Sequence, residues 1–241
     1  MSARRAAAAA TGVLGELLIT AGVVLGLFVV WQLWWTDVVA ERAQVQIIED
    51  LGWATPVPAP SEVPDDGIAD PQPGDPPVVA APGPSETFAT MIVPRFGDGW
   101  ERTVSEGVTR SGTLDELGIG WYPHSALPGE LGNFAVAGHR VTFGKPFNQI
   151  AELVEGDLIV VRTPEVWYVY RVTEHLVVLP QQVEVVAPVP GEIGAEPTQR
   201  YITLTSCHPM FSLRERYVVH GVMEYWAWTA DGIPAELAGG A

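Results

Sequence analysis

Residues 55–86 can form neither a helix nor a sheet, and this divides the chain into two parts of different character. Pro56, Pro58, Pro60, Pro64, Pro71, Pro73, Pro76, Pro77, Pro82 and Pro84 punctuate the stretch, with Ala, Gly and Asp between them. Proline offers no backbone N–H and holds φ near −65°, so it interrupts both regular hydrogen-bond patterns. The expected form is an extended, semi-rigid spacer rising about 3.1 Å per residue. About thirty such residues could hold a folded domain up to roughly 90 Å from its point of origin.

Before the spacer lies an apolar run. Residues 17–36 carry no charge, and the apolar stretch begins near Val13. About 20 apolar residues at 1.5 Å each cross a hydrocarbon core of roughly 30 Å. Trp31, Trp34 and Trp35 gather at the C-terminal end of the run, where indole rings favour the headgroup interface. Arg4 and Arg5 precede it, and Asp37, Glu41, Glu49 and Asp50 follow. The positive-inside rule then puts the N-terminus in the cytoplasm and everything from Asp37 onward outside. A cleaved signal peptide would have a shorter apolar region and a small-residue cleavage site, so an uncleaved anchor is the expectation. Val38, Val45, Ile48 and Leu51 then recur at loosely helical spacing. That segment either prolongs the membrane helix or lies on a surface.

The remaining residues, about 150 from Thr87 onward, suffice for one ordinary domain. Turn signals recur about every ten residues, as in a mostly antiparallel β-barrel or sandwich with a few short helices. Strands are expected over residues 89–93, 132–138, 157–162, 166–179, 201–206 and 217–228. Short helices are expected over 113–117 and 147–153, and a long Pro- and Gly-rich loop over 185–198. The organisation read from this pattern is a cytoplasmic tip and membrane anchor (1–36), a stalk and Pro-rich extracellular linker (37–86), a folded β domain (87–230) and a flexible tail (231–241).

The formal net charge of −16 excludes a nucleic-acid partner, which needs a basic face. Cys207 is the one cysteine. Outside the cytoplasm it has no partner for an internal disulfide, so its thiol is either buried and inert or kept for its chemistry. Cys207 ends a predicted strand in T-L-T-S-C-H-P, where a side chain can enter a cleft. A thiol attacks only once deprotonated, an imidazole can share its proton, and an arginine can hold a developing oxyanion. His139 follows another strand end, after small Ala137 and Gly138 that would admit a substrate backbone. Arg216 opens the strand after Cys207, with Arg214 as its rival. If these two strands pair antiparallel, Cys207 and Arg216 meet at one end of the sheet. His208 adjoins Cys207, but strand neighbours face opposite ways, which suits a groove wall or substrate contact better than the base. A metal site from Cys207, His208 and His220 matches no zinc spacing. His124 and His175 have no partner pattern.

At these residues the sequence resembles the sortase family of cysteine transpeptidases. T-L-T-S-C resembles the strand of that family that carries its cysteine, with Ser206 where Thr is usual. A-G-H-R (137–140) is similar to its histidine motif, and R-Y-V-V-H-G (216–221) to the strand opened by its arginine. The wording of C-H-P-M-F-S-L-R-E-R and of W-Y-P-H-S-A-L-P-G-E-L-G-N-F-A-V-A-G-H-R resembles class E. The resemblance implies a closed eight-stranded barrel and a catalytic set of Cys207, His139 and Arg216, with Ala137, Thr205 and His208 as candidate substrate contacts. It implies no cofactor and no metal. The partners it implies are secreted proteins bearing a C-terminal LPxTG- or LAxTG-like sorting motif, and the amine of a peptidoglycan precursor. A pilin-polymerising sortase and a non-catalytic anchored module on the same barrel are the alternatives. L,D-transpeptidases place a Gly before their Cys, and NlpC-type peptidases place the Cys before the His; neither order is present here.

Overall fold

The structure is a computed structural model that describes residues 2–54 and 67–239. Its first element is one continuous helix, α1 (Ser2–Leu51), of 50 residues. At 1.5 Å per residue it is about 75 Å long. Gly12–Trp31 has a mean hydropathy of 2.4 and is unburied, so it is long and apolar enough to cross a membrane. Of the two readings of residues 37–53, the structure selects extension of the helix. Gly52 ends it in the left-handed region (φ 70°), as helix-terminating glycines do. This last third also touches the rest of the protein. Gln44 is 4 % exposed, and its amide bridges Leu117 O at 2.9 Å and the Thr103 N–H at 3.1 Å.

Eight strands follow: β1 (Thr87–Ile92), β2 (Glu101–Glu106), β3 (Ile119–Trp121), β4 (Gly132–Ala137), β5 (Leu158–Arg162), β6 (Val166–Val178), β7 (Arg200–His208) and β8 (Glu215–Trp228). They close into a barrel in the order β1-β2-β3-β4-β7-β8-β6-β5. The β2–β3 and β4–β7 pairs are parallel, and the rest are antiparallel. Closure leaves no strand edge open. Alternate residues point inward: Phe134 and Val136 of β4, Ile202 and Leu204 of β7, Tyr217 and Val219 of β8 join Met91, Ile159, Tyr168 and Tyr170 in one core.

Two strands escape the sequence pattern. β2 reads E-R-T-V-S-E and lacks an apolar alternation. Its Glu101 is nevertheless buried, accepts a 2.5 Å hydrogen bond from Thr90 Oγ1, and lies near Arg162. Burial pushes this carboxyl above its usual range. β3 has three residues, too few for any period to show. Of the two expected helices, the first is a π-turn over Arg110–Leu114, and the second a 3-10 turn over Ile150–Glu152.

The described part of the proline segment is not a free spacer. Residues 67–86 lie along the barrel as a strap. Ile68 bridges Ile233, Gln72 N donates to Trp226 O at 2.8 Å, and Arg200 pairs with Asp75 at 2.5 Å. Prolines lack N–H groups but keep their carbonyls, and the barrel supplies the donors. The Tyr168 hydroxyl reaches Pro77 O at 2.6 Å, and the Trp226 indole reaches Gly74 O at 3.1 Å. Burial of the Tyr168 phenol pushes its pKa up to about 12. A reach of 90 Å is therefore corrected: α1 and the strap both hold the barrel close. Residues 55–66 lie outside the described residues.

The tail expectation is corrected over residues 231–239. The short helix α2 (Ala235–Ala238) buries Leu237, and Glu236 binds Arg171 at 3.1 Å and the Tyr225 hydroxyl at 2.5 Å. An apolar anchor and a paired carboxylate fix a segment whose composition alone looks like a loose end.

Candidate active site

β7 places the thiol. Since Ile202 and Leu204 point into the core, Thr203, Thr205 and Cys207 point out. The neighbouring strands add their own outward residues at the same levels. Across the parallel β4–β7 seam, Thr203 faces Ala135 and Thr205 faces Ala137. Across the antiparallel β7–β8 seam, Thr203 faces His220, Thr205 faces Val218 and Cys207 faces Arg216. The outer face of these three strands is thus a floor of buried side chains, with the partly exposed Cys207 at one end. Tyr122 closes over it, its hydroxyl 3.0 Å from Thr205 Oγ1.

The register sets Arg216, not Arg214, opposite the thiol. Directly opposed residues on antiparallel strands have Cβ atoms about 5 Å apart. Arg216 occupies that position against Cys207, which is itself partly exposed. Its Nη1 donates to Leu213 O at 3.1 Å and Glu215 O at 2.9 Å, which fixes the guanidinium over the β7–β8 turn. Arg214 lies ahead of β8 and is exposed. Replacing a donor that holds an oxyanion costs about 100- to 1,000-fold. Arg216→Ala is expected to lower kcat/KM by that factor, and Arg214→Ala to leave it within about twofold, as for a surface site. Steady-state kinetics on a peptide substrate separates the two.

The β4–β7 seam is tied beyond its last ladder pair. Gly138 N donates to Thr205 O at 3.1 Å, and Ser206 Oγ donates to Gly138 O at 2.8 Å. Serine therefore supplies the hydroxyl needed here without a β-branch. His139 leaves β4 one residue later, at the Cys207 end. The reading of Gly138 as room for a substrate backbone is corrected. A Cβ at that position would lie 2.7 Å from Cδ2 of Phe147, so the missing side chain admits the Phe147 ring.

Two groups hold the His139 imidazole. Asp115 Oδ1 lies 2.6 Å from Nε2, and the Phe143 ring lies 5.3 Å away, tilted by 33°. A carboxylate only accepts, so the proton sits on Nε2 and Nδ1 is the nitrogen left for proton exchange. Asp115 was not legible in the sequence, lying 24 positions away in a stretch that reads only as a helical turn.

The other histidines are placed differently. His208 is on the opposite face of β7 from Cys207. Its Nδ1 is 2.9 Å from Arg140 Nη1, and Arg140 stacks 5.3 Å from the Tyr217 ring. The structure does not bring His208 to the outward floor as a substrate contact; it helps close the barrel end. His175 stacks on Tyr217 at 5.8 Å. His220 is buried with its Nδ1 2.9 Å from Thr203 Oγ1, and Thr203 in turn donates to Asn133 Oδ1 at 2.7 Å. Burial lowers its pKa to about 4. His208 and Cys207 diverge, so these residues do not converge on a metal.

A partly exposed thiol opposite a guanidinium, with an imidazole at the same end of the sheet, is the equipment of a cysteine acyl-transfer enzyme on a closed barrel. The sortase domain family model matches residues 91–224, and the chain belongs to the sortase family of cysteine transpeptidases. Among characterised relatives, Sortase SrtE2 of Streptomyces coelicolor is 39 % identical over 90 % of this chain and 83 % of its own length. Sortase SrtE1 of the same organism is 35 % identical over 90 % of this chain and 58 % of its own. Both are class E enzymes, matching the motif wording. Among solved structures, the SrtA sortase of Actinomyces oris superposes with a TM-score of 0.66 at 41 % identity, over 70 % of this chain and 96 % of that one. Sortase E1 of S. coelicolor, solved with a tripeptide in its active site, superposes at 0.60 and 36 % identity, over 65 % and 99 %.

Proposed function

We propose that this protein cleaves a C-terminal LAxTG- or LPxTG-like sorting motif after its Thr and transfers the new carboxyl end to an amino group of a peptidoglycan precursor. The carrying observation is the register pair of Cys207 and Arg216 at the end of the outward floor, with His139 leaving β4 beside it. The Cys207 thiolate attacks the Thr carbonyl, and Arg216 holds the oxyanion. The C–N bond breaks as His139 delivers a proton to the departing amine, leaving a thioester. The acceptor amine then attacks the thioester, gives its proton to His139 and releases the Cys207 thiolate. Ala137 and Thr205 form the floor under the peptide, with Thr205 Oγ1 anchored on Val136 O at 3.1 Å. A tripeptide in the active site of the similar S. coelicolor enzyme supports a peptide in this position. The apolar part of α1 crosses the membrane once, with the N-terminus cytoplasmic and the barrel outside, where secreted clients pass.

The test uses the full chain in detergent micelles, an LAxTG-type or LPxTG-type peptide, and a glycine-based amine. Mass spectrometry is expected to find an acyl adduct on the protein and an amine-ligated product, and the ratio between peptides reports the preferred motif. A folded protein that forms no adduct with either peptide would overturn the substrate assignment.

A further inference from the structure

The two groups that hold the His139 ring sit on separate loops, and α1 grips both. Asp115 lies three residues before Gly118. There Gln44 Nε2 donates to Leu117 O at 2.9 Å, and its Oε1 accepts from the N–H and hydroxyl of Thr103 at 3.1 and 2.9 Å. Thr103 Oγ1 also reaches Leu117 O at 2.5 Å, so helix, β2 and loop form one hydrogen-bonded knot. The approach is close: a Cβ at Gly118, whose φ is 95°, would meet Gln44 Nε2 at 2.9 Å and push the amide out of place. Phe143 lies in the second loop, between His139 and Phe147. Lys145 Nζ pairs there with Asp37 Oδ2 at 2.6 Å, and Gly144 comes so near α1 that a Cβ would lie 3.1 Å from that of Ala40. Glu41 adds a third tie, 2.7 Å from Arg102 of β2.

Nothing about a tether calls for this. A helix that only moors an enzyme needs no buried glutamine and no ion pair beside the catalytic loop. We propose that residues 37–44 of α1 position the catalytic imidazole, Gln44 by fixing the loop of Asp115 and Asp37 by fixing the loop of Phe143. These are positioning residues, touching neither substrate nor reacting atoms. Asp115 acts directly on the ring by setting its tautomer and tilt; the helix sets where Asp115 and Phe143 stand. Small displacements of a catalytic group are costly, since a shift of about 1 Å can cost a hundredfold in rate. The inference rests on His139 being catalytic, as proposed above.

The test is steady-state kinetics on the full chain in detergent micelles with a soluble sorting peptide, so that mooring itself has no influence on the rate. Gln44→Ala and Asp37→Lys are each expected to lower kcat about tenfold with KM nearly unchanged. The double exchange Asp37→Lys with Lys145→Asp restores the ion pair in reverse and is expected to recover most of the lost kcat. Thermal unfolding of each variant keeps a folding defect apart from a positioning one. Wild-type kcat in both single variants, beside an inactive His139→Ala, overturns the positioning role while leaving the catalytic reading intact. A fully active His139→Ala overturns the catalytic reading itself. If Gln44→Ala runs at full rate and the double exchange recovers nothing, the helix has no hold on the imidazole.

Discussion

Cys207→Ala is expected to leave less than about a thousandth of wild-type turnover and no acyl adduct. Cys207 is the one thiol in the chain, so no second sulfur can take over. The groups that remain cannot substitute. Arg216 can only donate to an oxyanion, and His139 can move a proton but has no thiol to activate. If Ala137 and Thr205 underlie the peptide as proposed, the variant still binds it, so KM for any residual hydrolysis should change little while kcat collapses. Intact-mass spectrometry after incubation with sorting peptide reads this directly: the wild type gains the acyl mass and the variant does not. Substantial ligated product from Cys207→Ala would overturn the thioester mechanism.

The second large effect is on stability and comes from His220. Its pKa is held near 4 by burial, against an ordinary value of 6.5. Between those values the unfolded chain binds a proton that the folded chain refuses, so stability rises with pH across the window. The contribution is complete above about pH 6.5, falls as pH drops toward 4, and amounts to about 3 kcal/mol. Asp157, whose carboxyl is held below its usual range, adds a loss in the same direction at lower pH. Glu101 runs the other way, because a carboxyl raised by burial binds its proton more tightly when folded. His220→Gln isolates the histidine: an amide can bond Thr203 but does not titrate. The unfolding midpoint of the wild type is expected to fall more steeply than that of His220→Gln between pH 6.5 and 4.5. Parallel curves would exclude the buried imidazole as the cause.

How much of this was legible in the sequence depends on the kind of signal. The apolar strands β4 to β8 show themselves by alternation and by turn residues at their ends, but that pattern fits a barrel or a sandwich, and closure was implied only by the family resemblance. The opposition of Cys207 and Arg216 was legible too, since one short loop between antiparallel strands leaves few registers. β2 was hidden because three of its four buried positions are Glu101, Thr103 and Ser105, which form hydrogen bonds where a core strand normally shows apolar side chains, leaving Val104 as its one apolar core residue. Asp115 was hidden for a different reason. Its partner His139 is remote in sequence, and the side-by-side pairing of β2, β3 and β4 brings the two loops together. The helix contacts were least legible. Gln44, Glu41 and Asp37 look like any solvated face, and the loop positions they meet, Gly118, Gly144 and Lys145, look like ordinary turns. The strap misled for the opposite reason: proline forbids regular structure, but not a fixed position, when tryptophan and tyrosine supply donors to its carbonyls.

The unbroken run of α1 from Ser2 to Leu51 has a consequence for where the enzyme works. With α1 spanning the bilayer as proposed, the helix is a ruler. Asp37 stands six residues past Trp31, a rise of about 9 Å, and it grips the very loop that carries Phe143. The catalytic centre is therefore pinned at headgroup height, and its azimuth about the helix axis is pinned with it. Four extra residues at Thr36 would lift the barrel by about 6 Å and leave its facing nearly the same, whereas two would swing it through roughly 200°. On that proposal, clients come down to the membrane surface to be processed, and the enzyme does not reach up to them.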